Sequence, residues 1–161
     1  MHKDSSGFTL IELITVIVLA AILSVYAVTK WPGDRALKLP AQAELFAAHL
    51  QHIQALAMDW GQSLRLTVNS NGYSVSCVSA SATPPCDNSP VVDPSTNQAF
   101  SISLESGLTL SGTATTDFDP LGRPVTAGAL ITASPARTFT FSADGASQTV
   151  TLSPLTGFAA L

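Results

Sequence analysis

A single carboxylate, Glu12, interrupts an apolar run that begins at Phe8 and continues to Val28. The 22 residues from Phe8 to Thr29 would form about 33 Å of helix, which is enough for a hydrocarbon core of roughly 30 Å. Ionisable groups inside such a segment are rare, costly and usually paired. The chemistry that Glu12 offers is therefore ion pairing in an apolar environment, and its position indicates a functional group.

The residues before the apolar run do not form a secretory signal. They are polar, they carry one Lys and one Asp, and they end in the small residue Gly7. A cleavable secretory signal has its small-residue site after the apolar region, whereas Gly7 precedes it. A cut after Gly7 would leave the apolar helix in the mature protein.

The segment Gly7-Phe8-Thr9-Leu10-Ile11-Glu12-Leu13 resembles the processing site of type IV pilins and type II secretion pseudopilins. The resemblance implies that a prepilin peptidase cleaves between Gly7 and Phe8, that the new terminal Phe8 is N-methylated, and that Glu12 acts in assembly. The alternative is an ordinary single-pass anchor in which Glu12 has no such role.

Assembly would give Glu12 a partner. No Lys or Arg lies between Glu12 and Lys30, so the apolar segment supplies no cation. In the family picture the α-amino group of Phe8 on a neighbouring subunit is that cation. Because breaking a buried ion pair can cost ~3–5 kcal/mol, we hypothesise that Glu12 sets the register of the subunit in a filament.

The charges on either side of the apolar run disagree with an orientation in which the N-terminus is cytoplasmic. The leader has no net charge, while Lys30, Arg35 and Lys38 follow the run, so the positive-inside rule favours the reverse orientation. The processing motif is the sharper signal, and we expect a cytoplasmic N-terminus with the rest of the chain in the periplasm.

Composition predicts one small exported domain after the apolar run. Charged residues make up 11% of the chain, against about 25% in average proteins, and the net charge is −4. Beyond Trp60 the cations are Arg65, Arg123 and Arg137, against six acidic residues. Because there is no basic stripe, nucleic acid is not expected as a partner.

Helical periodicity continues after the apolar run. Trp31-Pro32-Gly33 interrupts the first helix, and Leu39-Pro40 is a second interruption or a restart. Apolar residues then recur at spacings of three and four, which predicts a helix face packed on a sheet: Phe46, Leu50, Ile53, Ala57 and Trp60. Gly61 is a natural stop for this helix.

Period-two alternation dominates the rest of the chain and predicts two β-hairpins. The first joins Leu64–Val68 to Tyr73–Cys77, and the second joins Phe139–Phe141 to Val150–Leu152. Further strands are expected at Phe100, Ile102 and Leu104, at Leu108 and Leu110, and at Leu130 and Ile131. The predicted fold class is α+β, with a long N-terminal helix, membrane-spanning in its first half, packed on an antiparallel sheet or β-sandwich.

The two cysteines, Cys77 and Cys86, lie nine positions apart around Pro84 and Pro85. They do not form a C-x-x-C zinc or redox pair. In an oxidising periplasm a disulfide is the expected state, and it would cross-link the first part of the long loop from Val78 to Gln98. The alternative is two free, partly buried thiols.

Three further segments resemble minor pilin-like subunits, namely the H-type pseudopilin and the minor pilins of mannose-sensitive-haemagglutinin pili. They are the helix segment 50–58 followed by Gly61, the segment Phe118-Asp119-Pro120-Leu121-Gly122-Arg123-Pro124, and Leu155-Thr156-Gly157-Phe158. The resemblance implies a subunit that primes or caps a filament.

Other candidate sites have simpler explanations. His49 and His52 share a helix face with Glu44 nearby, but no third ligand stands at a usable spacing for a metal. Asp117 and Asp119 are similar to the start of a calcium loop, yet Leu121 and Gly128 occupy positions where ligands are needed, so a turn fixed by Pro120 and Gly122 is favoured. No enzymatic motif is present, and no cofactor is expected.

The sequence therefore predicts a minor type IV pilin or pseudopilin of the bacterial inner membrane that later joins a pilus or pseudopilus. We expect a leader at 1–7, a transmembrane and assembly helix at 8–29, a kinked helix at 30–60 and a β-rich head at 61–161. The apolar tail 155–161 is either a last strand or a contact patch for a neighbouring subunit. The alternative functions are a DNA-uptake minor pilin and a membrane-anchored periplasmic binding module.

Overall fold

The computed structural model describes residues 9–30, 34–134 and 137–161. The chain divides into two compact units, Met1–Gly33 and Asp34–Leu161. The first unit contains helix α1, Leu10–Lys30. From residue 10 to residue 26 its side chains are exposed all round, and most of them are apolar. A helix that is apolar on every side is suited to burial among other hydrophobic segments.

Helix α2, Asp34–Trp60, opens the second unit. It passes through Pro40 without a break, so the expected interruption or restart at Leu39-Pro40 is wrong. Leu39 and Ala43, on either side of Pro40, are buried, and tertiary packing of this kind opposes the intrinsic penalty of proline in a helix. The other expected interruption, Trp31-Pro32-Gly33, lies outside the described residues.

Helix α2 ends as the sequence predicts. Gly61 has a φ of 60°, and the N–H of Gln62 donates to the carbonyl of Ala57 at 3.2 Å. This six-to-one hydrogen bond around a left-handed glycine is a common helix stop.

The β-structure consists of short strands in chain order: β1 Leu64–Asn69, β2 Gly72–Cys77, β3 Val92–Asp93, β4 Gln98–Ala99, β5 Ser101–Ser103, β6 Thr109–Gly112, β7 Thr115–Phe118, β8 Pro124–Thr126, β9 Ala129–Leu130, β10 Arg137–Ala143, β11 Ala146–Leu152 and β12 Ala159–Ala160. One sheet has the order β5-β2-β1-β7-β8-β9, a second has the order β12-β11-β10-β6, and β3 pairs with β4. These strand pairings are antiparallel, which confirms the α+β class.

The predicted helix stripe forms the centre of the core. Phe46, Leu50, Ile53 and Ala57 are buried. The ring of Phe46 meets those of Tyr73, Phe139 and Phe141 edge-on at centroid distances of 4.8, 5.0 and 5.4 Å. Aromatic pairs in this geometry stabilise beyond their buried area. Helix α2 thus joins β2 of one sheet to β10 of the other.

Both predicted hairpins are present, as β1–β2 and β10–β11. Of the expected strand residues Phe100, Ile102 and Leu104, Ile102 lies in β5, whereas Phe100 and Leu104 lie outside the strands. The predicted loop from Val78 to Gln98 contains β3. Strand β7, for which no strand was expected, pairs with β1 and extends the first sheet.

Candidate functional site

The N-terminal end of α1 is built around Thr9 and Glu12. The backbone N–H of Glu12 donates to Thr9 Oγ1 at 3.3 Å, and Thr15 Oγ1 donates to the carbonyl of Glu12 at 2.9 Å. Thr9 therefore caps the helix, and Glu12 is the acidic residue of its first turn, where the positive end of the helix dipole favours a carboxylate. Gly7 and Phe8, the expected cleavage and methylation residues, lie outside the described residues.

Glu12 itself is exposed, as are the apolar side chains around it. Within the described residues, no helix meets the length and hydropathy that a membrane span requires.

Three motif segments that are distant in sequence meet at the C-terminal half of α2. Gln54 Nε2 donates to the carbonyl of Gly122 at 2.7 Å and to the carbonyl of Thr156 at 3.0 Å. We call Gln54, Gly122 and Thr156 the motif junction. Two carbonyl acceptors at one amide nitrogen fix the orientation of the Gln54 side chain, so this residue connects α2 to both loops.

Gly157 shows how closely the motif junction is packed. Its φ is +67°, and a Cβ atom there would overlap the Gln54 side-chain amide and lie 3.1 Å from Pro124 Cδ. Gly122 has a φ of +73°, and a Cβ there would lie 3.2 Å from the sulfur of Met58. Both glycines combine a left-handed backbone with a close approach, which explains why glycine occupies these two positions.

The loop before the junction is held by Asp119. Its Oδ1 accepts hydrogen bonds from the N–H groups of Leu121 and Arg123, both at 2.9 Å, and its Oδ2 accepts from Arg123 Nε at 2.8 Å. Burial alone would raise the pKa of Asp119, but the bonds from Arg123 and Leu121 outweigh burial and lower that pKa. Gly122 N–H closes the turn on the carbonyl of Asp119 at 2.8 Å.

The calcium-like pair Asp117 and Asp119 is thus engaged by arginines. Asp117 accepts Arg65 Nε at 2.7 Å and Arg65 Nη2 at 2.8 Å, and Asp119 is occupied by Arg123. In the part of the chain that the structure describes, no group of three His, Cys, Asp or Glu residues is placed to hold a metal ion.

His49 and His52 bond to different partners. His49 Nδ1 lies 2.6 Å from Tyr73 Oη, and His52 Nε2 lies 3.1 Å from Asp93 Oδ1. Both rings pack against Phe100. Burial, together with the nearby His52, lowers the pKa of His49, and burial also raises the pKa of Tyr73. A neutral imidazole has one acceptor nitrogen, so with Nδ1 unprotonated His49 accepts a hydrogen bond from the Tyr73 hydroxyl.

The long loop is attached to the head at several points. Cys77 and Cys86 form a disulfide with a Cα–Cα distance of 5.6 Å, as their spacing indicated. Asp93, at the far end of the loop, accepts Ser95 N–H at 2.9 Å as well as bonding to His52. Burial would raise the pKa of Asp93, but the bonds from Ser95 and His52 outweigh burial and lower that pKa.

Comparison with known proteins identifies the family. Residues 2–28 match the prokaryotic N-terminal methylation motif, and residues 42–157 match the type II transport protein GspH. The chain belongs to the GspH family. Together the two matches include Thr9 and Glu12 of α1 and the motif junction. A comparison with curated protein sequences found no match to this GspH-family chain.

A solved structure has the same fold. The crystal structure of the type IV minor pilin FimU of Pseudomonas aeruginosa is similar with a TM-score of 0.51 and 20% sequence identity, over 81% of this chain and 92% of that chain. This likeness shows the shared fold, and the two family matches place the chain among the pilin-like structural subunits. The methylation motif implies processing by a prepilin peptidase and assembly with other pilin-like subunits.

Sequence patterns assigned no role to two residues, Thr9 and Gln54, that the structure places at these sites. Thr9 stands three residues before Glu12, and the Thr-x-x-Glu spacing of a capping box could have identified it. Gln54 was part of a motif but had no assigned role, because its acceptors lie 68 and 102 residues further along the chain. No local pattern connects residues at such separations.

Proposed function

We propose that this GspH-family chain is cleaved between Gly7 and Phe8, N-methylated at Phe8, retained in the inner membrane by residues 8–29, and then incorporated near the tip of a pilus or pseudopilus. The observation that supports this proposal is that the methylation motif, the apolar helix and its single carboxylate occur together near the N-terminus. The methylation motif of residues 2–28 overlaps a helix that is apolar all round and has one carboxylate, Glu12, in its first turn.

Glu12 is the assembly residue in this proposal. Thr9 caps α1 three residues before Glu12, so the carboxylate lies near the N-terminal end of the helix. In a packed bundle of such helices it would need a cation, and the methylated α-amino group of Phe8 on a neighbouring subunit provides one. The head remains in the periplasm and contributes subunit contacts.

The exposed apolar side chains near the motif junction are candidates for those contacts. Strand β12 pairs with β11 and buries Ala159, so the tail does form a last strand. Yet Leu121, Leu155 and Phe158 are about half exposed or more. We assign these three residues to contact with the next subunit.

The decisive experiment is intact-mass and N-terminal analysis of the chain purified from cells. We expect a mature chain that begins with N-methylated Phe8. In parallel, Glu12→Ala is expected to process normally and to be lost from sheared filaments, whereas Leu13→Ala, next to it, is expected to remain in them. A mature chain that begins elsewhere, or wild-type incorporation of Glu12→Ala, would refute the proposal.

Two predictions remain outside this site. We expect no duplex-DNA binding at physiological salt, which fluorescence anisotropy can check, because the head has more acidic than basic residues. We also propose that the chain catalyses no reaction and has no cofactor.

A further inference from the structure

The basic side chains of the head are not distributed evenly. Residues 34–161 carry five Lys or Arg against nine Asp or Glu. Lys38 pairs with Glu105, and Arg123 pairs with Asp119 in its own turn. Arg65, which pairs with Asp117, and Arg137 line one cleft of about 270 Å³. Two of the five cations therefore lie at a single concave place on an acidic head.

The cleft lies where the first sheet meets the start of β10. Arg65 on β1 and Asp117 on β7 are directly opposite in the register, and Arg137 is the first residue of β10. Thr113, Thr115 and Thr126 contribute to the lining. With one carboxylate and two guanidinium groups, the lining has a formal charge of +1, whereas the chain has a net charge of −4.

Both guanidinium groups are held in place from within the chain. Asp117 accepts two hydrogen bonds from Arg65, and these bonds raise the pKa of Arg65. They use Nε and Nη2, while the Arg65 side chain remains 42% exposed. Arg137 Nη2 donates to Thr126 Oγ1 at 2.5 Å. Side chains that are oriented before binding lose little conformational entropy when a ligand arrives.

We propose that this cleft binds the carboxylate of an acidic side chain on a neighbouring pilin-like subunit. Because Nε and Nη2 of Arg65 already bind Asp117, the incoming carboxylate would bind the remaining N–H donors of Arg65, the guanidinium group of Arg137 and the threonine hydroxyls. On a head of net negative charge, a cleft with a positive lining is the place that attracts an acidic side chain, which favours one docking orientation. This inference rests on the proposed function, because it takes the chain to be a filament subunit.

The chemistry of the cleft can be tested on the full-length mature chain in detergent. NMR of the arginine Nε–H groups would be followed during titration with a blocked Ala-Asp-Ala peptide, its Ala-Asn-Ala analogue and inorganic phosphate. We expect the Asp peptide to shift the Arg65 and Arg137 signals, with the Arg123 signal unchanged. In Arg137→Gln the dissociation constant should rise about tenfold, the loss of one charge-assisted contact.

Two results of the titration would overturn the proposal. Equal shifts with the Asp and Asn peptides would show that the carboxylate is not recognised. Shifts with phosphate alone would make the cleft a site for small free oxyanions. Arg137→Lys keeps the charge and loses the fork, and we expect it to bind with intermediate affinity, while Lys38→Gln should bind as wild type does.

The partner can be tested in assembled filaments. A photo-crosslinking amino acid at position 115 should form an adduct with a pilin-like subunit at a peptide that contains Asp or Glu. We expect Arg137→Glu to abolish the adduct and Lys38→Gln to retain it. If the chain enters filaments but the adduct does not depend on Arg137, the inference fails and the proposed function stands. If the chain never enters filaments, the proposed function fails, and with it the assignment of the partner.

Discussion

Removal of the Gln54 amide tests whether the motif junction stabilises the head. In Gln54→Ala, the carbonyls of Gly122 and Thr156 both lose their donor. A typical intramolecular hydrogen bond contributes about 0.5–1.5 kcal/mol net. One of the two bonds is partly buried and the other is exposed, so we expect the unfolding free energy to fall by about 2 kcal/mol, within the range for two such bonds.

The measurement is urea unfolding of the full-length chain in detergent, followed by tryptophan fluorescence, because Trp60 at the end of α2 is partly buried. The midpoint should decrease while the slope stays constant, since a constant slope means an unchanged exposed area. In a thermal scan, the same loss corresponds to roughly 8 °C, at about 4 °C per kcal/mol for a domain of this size.

Matched variants separate the junction from general helix effects. Gln51→Ala changes an exposed glutamine one turn earlier and should shift the unfolding free energy by less than about 0.5 kcal/mol. Gln54→Glu should cost more than Gln54→Ala, because a carboxylate would face two carbonyl oxygens. If Gln54→Ala and Gln51→Ala had the same stability, the junction would have no structural role and our reasoning would be wrong.

Three further predictions concern the core. Phe46→Ala should lower the unfolding free energy by about 3–5 kcal/mol, because Phe46 is buried among three aromatic rings; Leu45→Ala, at an exposed position, should cost less than about 1 kcal/mol. Because the pKa of His49 is lowered in the fold, the unfolded chain binds more protons just below pH ~6.5. The contribution of His49 to the unfolding free energy is therefore fully present above that pH and is lost as the pH falls below it. Unfolding measured at a series of pH values should show a smaller loss of unfolding free energy in His49→Gln than in wild type. Thr116→Val should leave stability unchanged or raise it by about 1 kcal/mol in urea unfolding, since the buried Thr116 hydroxyl has no hydrogen-bond partner within the described residues; a loss above about 1 kcal/mol would contradict this explanation.

Local patterns predicted the elements whose burial follows a single period. The stripe of Phe46, Leu50 and Ile53 repeats at helical spacing, and those residues are buried as expected. The β1–β2 and β10–β11 hairpins combine alternation with a short polar turn, which fixes register locally. These features depend on neighbours within a few residues, so a single sequence contains the necessary information.

Strand β7 could not be found in this way, for a physical reason. Its residues Thr115, Thr116 and Asp117 are polar, and no apolar alternation marks them. Thr116 and Asp117 are nevertheless buried, because β1 lies opposite and Arg65 provides a charged partner for Asp117. The pairing that makes this segment a strand involves a residue 52 positions earlier, which period counting does not detect.

The same distinction applies to the two proposed sites. Glu12 was identified from sequence because a charge in an apolar run is anomalous without reference to any other residue. The Arg65–Arg137 cleft was not, because each arginine is unremarkable alone and becomes significant only where the two sheets bring both to one lining. Assembly would then depend on two kinds of charge: a helix carboxylate that the sequence already marks as lacking a cation, and a positive cleft on the head that exists only after folding. Because the second requires a folded head, a variant with intact α1 and a destabilised head, such as Phe46→Ala, should lose cleft binding at a lower urea concentration than wild type while its N-terminal processing remains normal.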